Sequence, residues 1–397
     1  MKKGIKMKVV IIGAGAAGLM AAITAAECGH KVTVIEHENK PGKKINVTGN
    51  GKCNITNSAL TPDKYYGNKD FINNVIERFN YKDALNFFEN MGVYCYEKNG
   101  FYYPLSNQAV TITNALYNEA LSLGVTIKTN NNVKSVTKKD DGFVLDIGID
   151  LFCDKLIIAT GGMAAPKTGS DGSGYELAKA LGHTIVKPCP ALTALVCDEK
   201  LKKASGVRVK AKVQIKDKNI KDLGELQVTD YGISGIPVFN ISRSVNEKEN
   251  VIIDFAPDYT YDEVKILLEK ILKRRDKMPV LTALNGLFNE KLAAVFLKEI
   301  KLQSNVKCTD VIDKITMLCD TIKSFEVTVK RKKGFDFSQV TSGGVNTSEI
   351  NRDTMESLIC PNLYFAGEII DVDGRCGGYN LQFAWSSGYI AGESISK

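Results

Sequence analysis

Residues 8–36 constrain this chain more than any other stretch. "KVVIIG" (8–13) carries the branched apolar residues of a buried strand. "AAGLMAAITAAECG" (16–29) is rich in Ala, Leu and Met and reads as a helix that stops at Gly29. "KVTVIE" (31–36) reads as a second strand. The join is Gly13-Ala14-Gly15-Ala16-Ala17-Gly18, a GxGxxG. In such a join Gly13 allows the tight turn, Gly15 lets a pyrophosphate approach the backbone, and Gly18 lets the helix lie close to the sheet. The helix start, at Ala16 and Ala17, offers unpaired N–H groups and a positive dipole end to phosphates. Glu36 follows Gly18 by eighteen residues and ends the second strand, where a carboxylate binds a ribose hydroxyl pair. GxGxxG alone is a weak signal; set in strand–helix–strand with a terminal acid it specifies a dinucleotide.

Residues 9–26 also run without a charge behind Lys2, Lys3, Lys6 and Lys8, as a secretory signal does, and are nearly long enough for a membrane helix. Neither needs a following strand or Glu36, so the stretch is expected to be a working part of a folded domain, with no membrane span and a cytoplasmic location. The net charge of +7 in 397 residues suits an anionic cofactor or substrate and is too mild to argue for nucleic acid. The densest basic runs, 199–222 and 329–335, read as solvated strand faces. Ten scattered cysteines with no CxxC point to a reduced compartment and no metal site. The three histidines, His30, His37 and His183, lack any metal-site or triad setting, so the chemistry is expected to rest on a cofactor.

Later segments favour FAD over a nicotinamide. Residues 125–162 read as short strands around the turn Asp140-Asp141-Gly142, ending in Ala159-Thr160-Gly161-Gly162. Flavoproteins of the glutathione-reductase-like class have such a meander and turn, and Val133 resembles the position whose backbone meets the adenine. "NLYFAGEIIDVDG" (362–374) resembles that class's second flavin motif, with Gly367-Glu368 in place of the usual Gly-Asp. "GGYNLQFAWSSGYIAG" (377–392) reads as a glycine turn opening a helix, whose first N–H groups would stabilise negative charge on a reduced flavin.

The chain resembles the BaiN/YhiN-like bacterial flavoproteins, which include enzymes described as aminoacetone-oxidase-like. The resemblance rests on "IIGAGAAGLMAA", "PGKKINVTGNGKCNITN" (41–57), "GFYYPLSNQA" (100–109), "ATGGMAAPKTGSDGSGYELAKALGH" (159–183), "YGISGIPVFNISR" (231–243), "SGGV" (342–345) and "AGEIIDVDGRCGGYNLQFAWSSG" (366–388). It implies an α/β fold: a Rossmann-like, glutathione-reductase-type FAD domain at 1–189 and 336–397, a β-barrel-like insertion at 190–257 and 320–335, and a small helical subdomain at 258–319. The implied cofactor contacts are Gly13, Gly15, Ala16, Ala17, Gly18, Glu36, Lys43, Lys44, Thr48, Gly51, Asn54, Val133, Thr160, Gly161, Gly367, Glu368, Gly378, Asn380, Leu381 and Gln382. Cys53 reads as structural, having no resolving partner in view. The family pattern more often has Thr at the position of Cys376 and Val-Phe before Pro104; both differences bear on substrate identity.

Only one nucleotide cradle is visible; "GSDGSG" (169–174) lacks a preceding strand and an acid. NAD(P)H is therefore expected only as a transient donor. The leading expectation is a reductase that passes hydride through flavin N5 to a conjugated C=C of a small organic substrate, which the resemblance suggests to be steroid-like or bile-acid-like. Arg375 and Tyr379 are the substrate-side candidates: Arg375 to hold an anion or carbonyl, Tyr379 to donate a proton. The alternatives are an amine oxidase releasing hydrogen peroxide, and a flavin-bearing redox sensor or RNA-modification accessory. The sequence leaves the oligomeric state open.

Overall fold

The computed structural model describes residues 6–396, so Lys2 and Lys3 lie outside the described residues. The chain forms two compact units, 1–190 with 339–397, and 191–338.

The first unit is built on a five-stranded parallel sheet. Strand β1 (Lys8–Ile12), helix α1 (Ala16–Glu27) and strand β2 (Lys31–Ile35) occupy the positions that the residue pattern dictates. The strand order is Leu363–Phe365, Lys155–Ile158, β1, β2, Thr126–Lys128. All four pairings are parallel. Val9, Val10, Ile11 and Ile12 are buried, as a sheet covered on both faces requires. One edge strand, Leu363–Phe365, comes from beyond the second unit and pairs with Lys155–Ile158. The meander expected at 125–162 is present as three antiparallel strands, Ser135–Lys139, Gly142–Asp146 and Asp150–Cys153.

The C-terminal helix Tyr379–Ser394 lies against α1 through small residues. A Cβ on Gly388 would sit 2.5 Å from the Ala17 carbonyl oxygen, and one on Gly392 would sit 2.6 Å from that of Ala21. Two glycines one turn apart thus let the two backbones touch.

His183 is a pin of this unit. Its side chain is fully inaccessible; Nε2 meets Ser357 Oγ at 2.8 Å and Nδ1 meets Glu349 Oε2 at 3.1 Å. Ser357 Oγ also accepts the N–H groups of Ile359 and Cys360, and Glu349 accepts that of Thr184. Burial lowers the His183 pKa, against the opposing pull of Glu349. Burial also pushes Glu349 up, but Thr184 and His183 outweigh it and hold the carboxyl below its ordinary value. The sign follows for both groups. Below about pH 6.5 the unfolded chain binds a proton that folded His183 resists, and below about pH 4.5 it binds another that folded Glu349 resists. Stability should fall as pH drops through this window, each group contributing at most about 1.4 kcal/mol per pH unit. Denaturant titrations from pH 7 to 4 check this: His183→Gln should flatten the upper part of the slope, and an unchanged slope would remove His183 from the account.

The second unit holds a closed six-stranded barrel. The order around it is Leu195–Cys197, Gly232–Gly235, Lys221–Thr229, Arg208–Ile215, Asn250–Asp254, Phe325–Lys332 and back to the start. Every pairing is antiparallel. Helix Tyr261–Arg274 opens on a capping box in which Thr260 and Glu263 satisfy each other's backbone N–H. Its buried face is Val264, Leu268 and Leu272, with Ile271 partly buried. The helices of 258–319 and the barrel strands share one continuous apolar core.

Candidate flavin site

The site is assembled by the turn after β1, the end of β2, the loop 41–57, the turns 159–162 and 366–368, and the start of helix Tyr379–Ser394. The glycines of the first turn behave as their spacing requires. A Cβ on Gly18 would lie 1.9 Å from the Gly13 carbonyl oxygen, so only glycine lets α1 approach the strand end. Nothing stands within 4 Å of a Cβ built on Gly15, so its backbone faces open space of the kind a pyrophosphate needs. Ala16 and Ala17 open α1, with Gly15 as a cap that has no side chain to occupy the free N–H groups.

Glu36 is buried. Its Oε2 accepts the Ala14 N–H at 2.7 Å and its Oε1 accepts the Glu38 N–H at 2.8 Å. These two bonds fix the carboxylate beside the glycine turn and leave each oxygen a lone pair for a ribose hydroxyl. Val133 is also buried.

The fit to FAD has a second test in atoms left without partners. Thr160 Oγ1 and the Tyr175 hydroxyl are buried and unbonded within the protein. Gly174 folds against Thr160, where a Cβ would come within 1.9 Å of Oγ1. Burial, then Glu368 and Asp371, push the Tyr175 hydroxyl well above its ordinary value, so it stays a neutral donor. A Cβ built on Gly13 would lie 3.1 Å from Thr160 Cα, so the Thr160 hydroxyl sits by the glycine turn, while the Tyr175 hydroxyl lies toward Glu368 and Asp371. Two unpartnered buried hydroxyls suit a polar ligand. Sequence reasoning misses Tyr175; its signal is only that "GSDGSGYE" follows the ATGG turn closely.

Several other expected contacts also bond within the protein. Lys43 pairs with Glu38 at 2.7 Å, and Lys44 pairs with Glu368 at 2.7 Å, so both lysines hold carboxylates of the protein. Glu368 also accepts the Thr341 N–H at 2.8 Å. It thus ties the loop 41–57 to strand Val340–Val345. Gly367 donates its N–H to Ser387 Oγ at 2.9 Å, which fixes this turn to the C-terminal helix. Gly161 takes a left-handed φ of 76° with Ser170 against it.

The Gln382 side chain is bonded within the protein. It is fully buried, accepts from Thr56 Oγ1 at 2.5 Å, and donates to Phe79 O and Ser386 Oγ. Its N–H returns to Gly378 O. Asn380 is likewise spent on the preceding turn, accepting from Gly374 N–H at 2.7 Å and donating to Gly374 O at 2.9 Å. With its amide oriented so that both atoms find partners, Asn54 accepts the Gly378 N–H at 3.2 Å and donates to Thr56 O and Tyr102 O. Thr48 Oγ1 donates to Ile45 O at 2.7 Å. What remains for a ligand at this end is backbone: the N–H groups of Tyr379, Asn380 and Leu381 at a helix start capped by Gly378.

The loop 48–53 is strained. Gly49, Asn50, Gly51 and Cys53 all have positive φ, and two of these are not glycine. Such conformations persist where surrounding structure holds them, and they cluster at ligand sites. Cys53 itself is buried, and burial pushes its thiol up to about 12. It is an inert structural thiol.

Arg375 has its N–H on Lys64 O at 2.9 Å and its side chain half-buried. Tyr379 is buried, its ring edge-on to Tyr65 at 5.8 Å, and Tyr65 donates its hydroxyl to the Tyr379 carbonyl at 2.8 Å. Burial raises the Tyr379 pKa, with Arg375 opposing.

This fold and cradle define an FAD-dependent oxidoreductase with a Rossmann-type domain interrupted by a barrel. The chain belongs to the family of the HI0933-like protein Rossmann domain, which matches residues 7–394. It is 38% identical to a 3-dehydro-bile acid delta(4,6)-reductase of Clostridium scindens, over 98% of this chain and 99% of the relative. It is 31% identical to a ribosomal RNA dihydrouridine synthase of Escherichia coli, over 97% of each. The crystal structure of a 3-ketosteroid-delta4-(5alpha)-dehydrogenase from Rhodococcus jostii has the same fold, with a TM-score of 0.53 at 16% identity, over 99% of this chain and 97% of that one. Among the described residues no helix is long and apolar enough to cross a membrane.

Proposed function

We propose that this chain reduces a carbon–carbon double bond conjugated to a carbonyl, on a steroid-like or bile-acid-like 3-oxo substrate. The observation that carries this reading is the end-to-end 38% identity to the bile acid reductase. When bound, FAD supplies the hydride. The residues of this chain position and balance charge. The N–H groups at the start of helix Tyr379–Ser394 would hold the flavin's pyrimidine edge and balance negative charge on the reduced ring. Adding hydride to the β carbon leaves an enolate that needs a proton. Tyr379, kept protonated by burial, is the donor in this reading, and Arg375 holds the substrate oxygen. NAD(P)H is the transient reductant, and the setting is cytoplasmic.

A second substrate has its own support. The C5=C6 bond of uracil is also conjugated to a carbonyl, and the 31% relative is named for reducing it in ribosomal RNA. The unit 191–338 carries 27 basic and 21 acidic side chains, against 25 and 24 in the rest, so it holds nearly all of the net +7. That concentration suits a polyanion. The small-molecule reading, with no nucleic-acid partner, stays first because the nearer of the two relatives supports it.

The test is an anaerobic titration of the purified yellow protein with NADH and NADPH, followed by a chase. Bleaching by either donor and recovery of colour on adding a 3-oxo-4-ene steroid supports the first reading. Recovery only with uridine-containing ribosomal RNA moves the second ahead. Bleaching by aminoacetone with hydrogen peroxide formed once air is admitted, and no recovery by either acceptor, replaces both by an amine oxidase.

A further inference from the structure

The hairpin of Cys95–Lys98 and Phe101–Pro104 turns on Asn99-Gly100, both with positive φ, and Thr56–Asn57 adds a third strand. Side chains alternate between its two faces. Tyr102 lies on one face, stacked on Tyr81 of the helix Tyr81–Asn90 at 6.1 Å. Phe101 and Tyr103 lie on the other. Tyr96 sits directly opposite Tyr103 in register and stacks on it at 5.8 Å.

This second face meets the candidate flavin site at two turns. A Cβ built on Gly377 would lie 2.9 Å from Phe101 Cε1. One built on Gly49 would lie 3.6 Å from Tyr103 Cε1. Gly377 directly precedes the glycine that caps helix Tyr379–Ser394, and Gly49 begins the left-handed loop. All three rings are half-buried, belonging neither to the apolar core nor to open surface.

We infer that Phe101 and Tyr103, with Tyr96 stacked behind Tyr103, form the wall on which a planar conjugated ring lies, and so set which rings the site accepts. The glycines at 49 and 377 keep the backbone low beneath these rings, whereas a side chain at 377 would strike Phe101. Aromatic faces hold a flat, partly polar ring by offset stacking, without demanding one hydrogen-bond pattern. The chemistry is that of a ring bearing C=C–C=O, from a steroid or from a uracil. The inference rests on the reductase reading for the identity of that ring.

The experiment uses FAD-loaded wild type, Tyr103→Phe and Tyr103→Leu. Three probes are titrated against the flavin absorption band: 4-androstene-3,17-dione, a short uridine-containing RNA, and 2-naphthol, a flat ring that no reductase of this kind would turn over. FAD content and melting temperature are measured in parallel. Tyr103→Leu should weaken the bound probe at least tenfold, and Tyr103→Phe by less than about threefold, with FAD content and melting temperature kept in both. The probe that wild type binds identifies the source of the ring. Loss confined to 2-naphthol would support the wall while removing the reductase substrates. Equal binding by Tyr103→Leu, equal loss in both variants, loss of FAD in step with probe binding, or no probe bound by wild type would each overturn it.

Discussion

Alanine at position 18 should give a folded protein that no longer retains FAD. The added Cβ would lie 1.9 Å from the Gly13 carbonyl oxygen, and that oxygen belongs to backbone already fixed at the end of β1. Gly13 cannot yield, since its own added Cβ would meet Ala159 O at 2.5 Å. The start of α1 must therefore tilt away from the sheet. The N–H groups that face the pyrophosphate tilt with it. Overpacking of this kind costs about 1–3 kcal/mol. If that cost falls on the bound state, affinity for FAD drops by roughly ten- to hundredfold. Apoprotein titrated with FAD, followed by flavin fluorescence, measures the drop. Affinity equal to wild type would mean that the cradle does not depend on this approach.

Leucine at position 388 should lower the stability of the first unit sharply. Gly388 and Gly392 lie one turn apart on the C-terminal helix and rest on the Ala17 and Ala21 carbonyl oxygens of α1. A branched side chain there has no space to enter and must drive the helices apart along their length. About 3 kcal/mol is expected, from the upper end of overpacking costs. For a unit of this size that lowers the melting temperature by roughly 6–12 °C. Calorimetry on the FAD-free protein reads this without the cofactor's own contribution. A shift under about 2 °C would show that the helices do not rely on backbone contact.

Much of the first unit is legible in the sequence because its signals are local. The GxGxxG and Glu36 are separated by one strand–helix–strand unit, and their geometry follows from element lengths alone. The roles that escape such reading depend on partners far away in the chain. That Lys44 pairs with a carboxylate is not legible locally, since its partner, Glu368, lies 324 residues on. Gln382 looks available because nothing local predicts that Thr56 and Phe79 consume its amide. The repeat Gly388-x-x-x-Gly392 is present in the sequence, but its meaning depends on which helix it meets. Cys53 can be assigned as structural from the absence of a partner thiol, and its burial in the structure supplies the physical reason. Barrel closure is the least legible feature, since it rests on register between strands more than 100 residues apart, such as Leu195 opposite Lys332.

The parallel sheet takes its outer strand, Leu363–Phe365, from the far side of the inserted unit, and α1 is covered by the last helix of the chain. The barrel unit, by contrast, is one unbroken stretch. On a ribosome the two therefore mature in an order opposite to their places in the chain. The glycine turn emerges first, yet the sheet edge and helix that complete its surroundings are made last. Until then strand Lys155–Ile158 lacks its outer neighbour and α1 lacks the helix that covers it, while the barrel has all its strands in hand. The interval before the cofactor site closes is set by the length of the insertion, and FAD enters a framework that the end of the chain finishes.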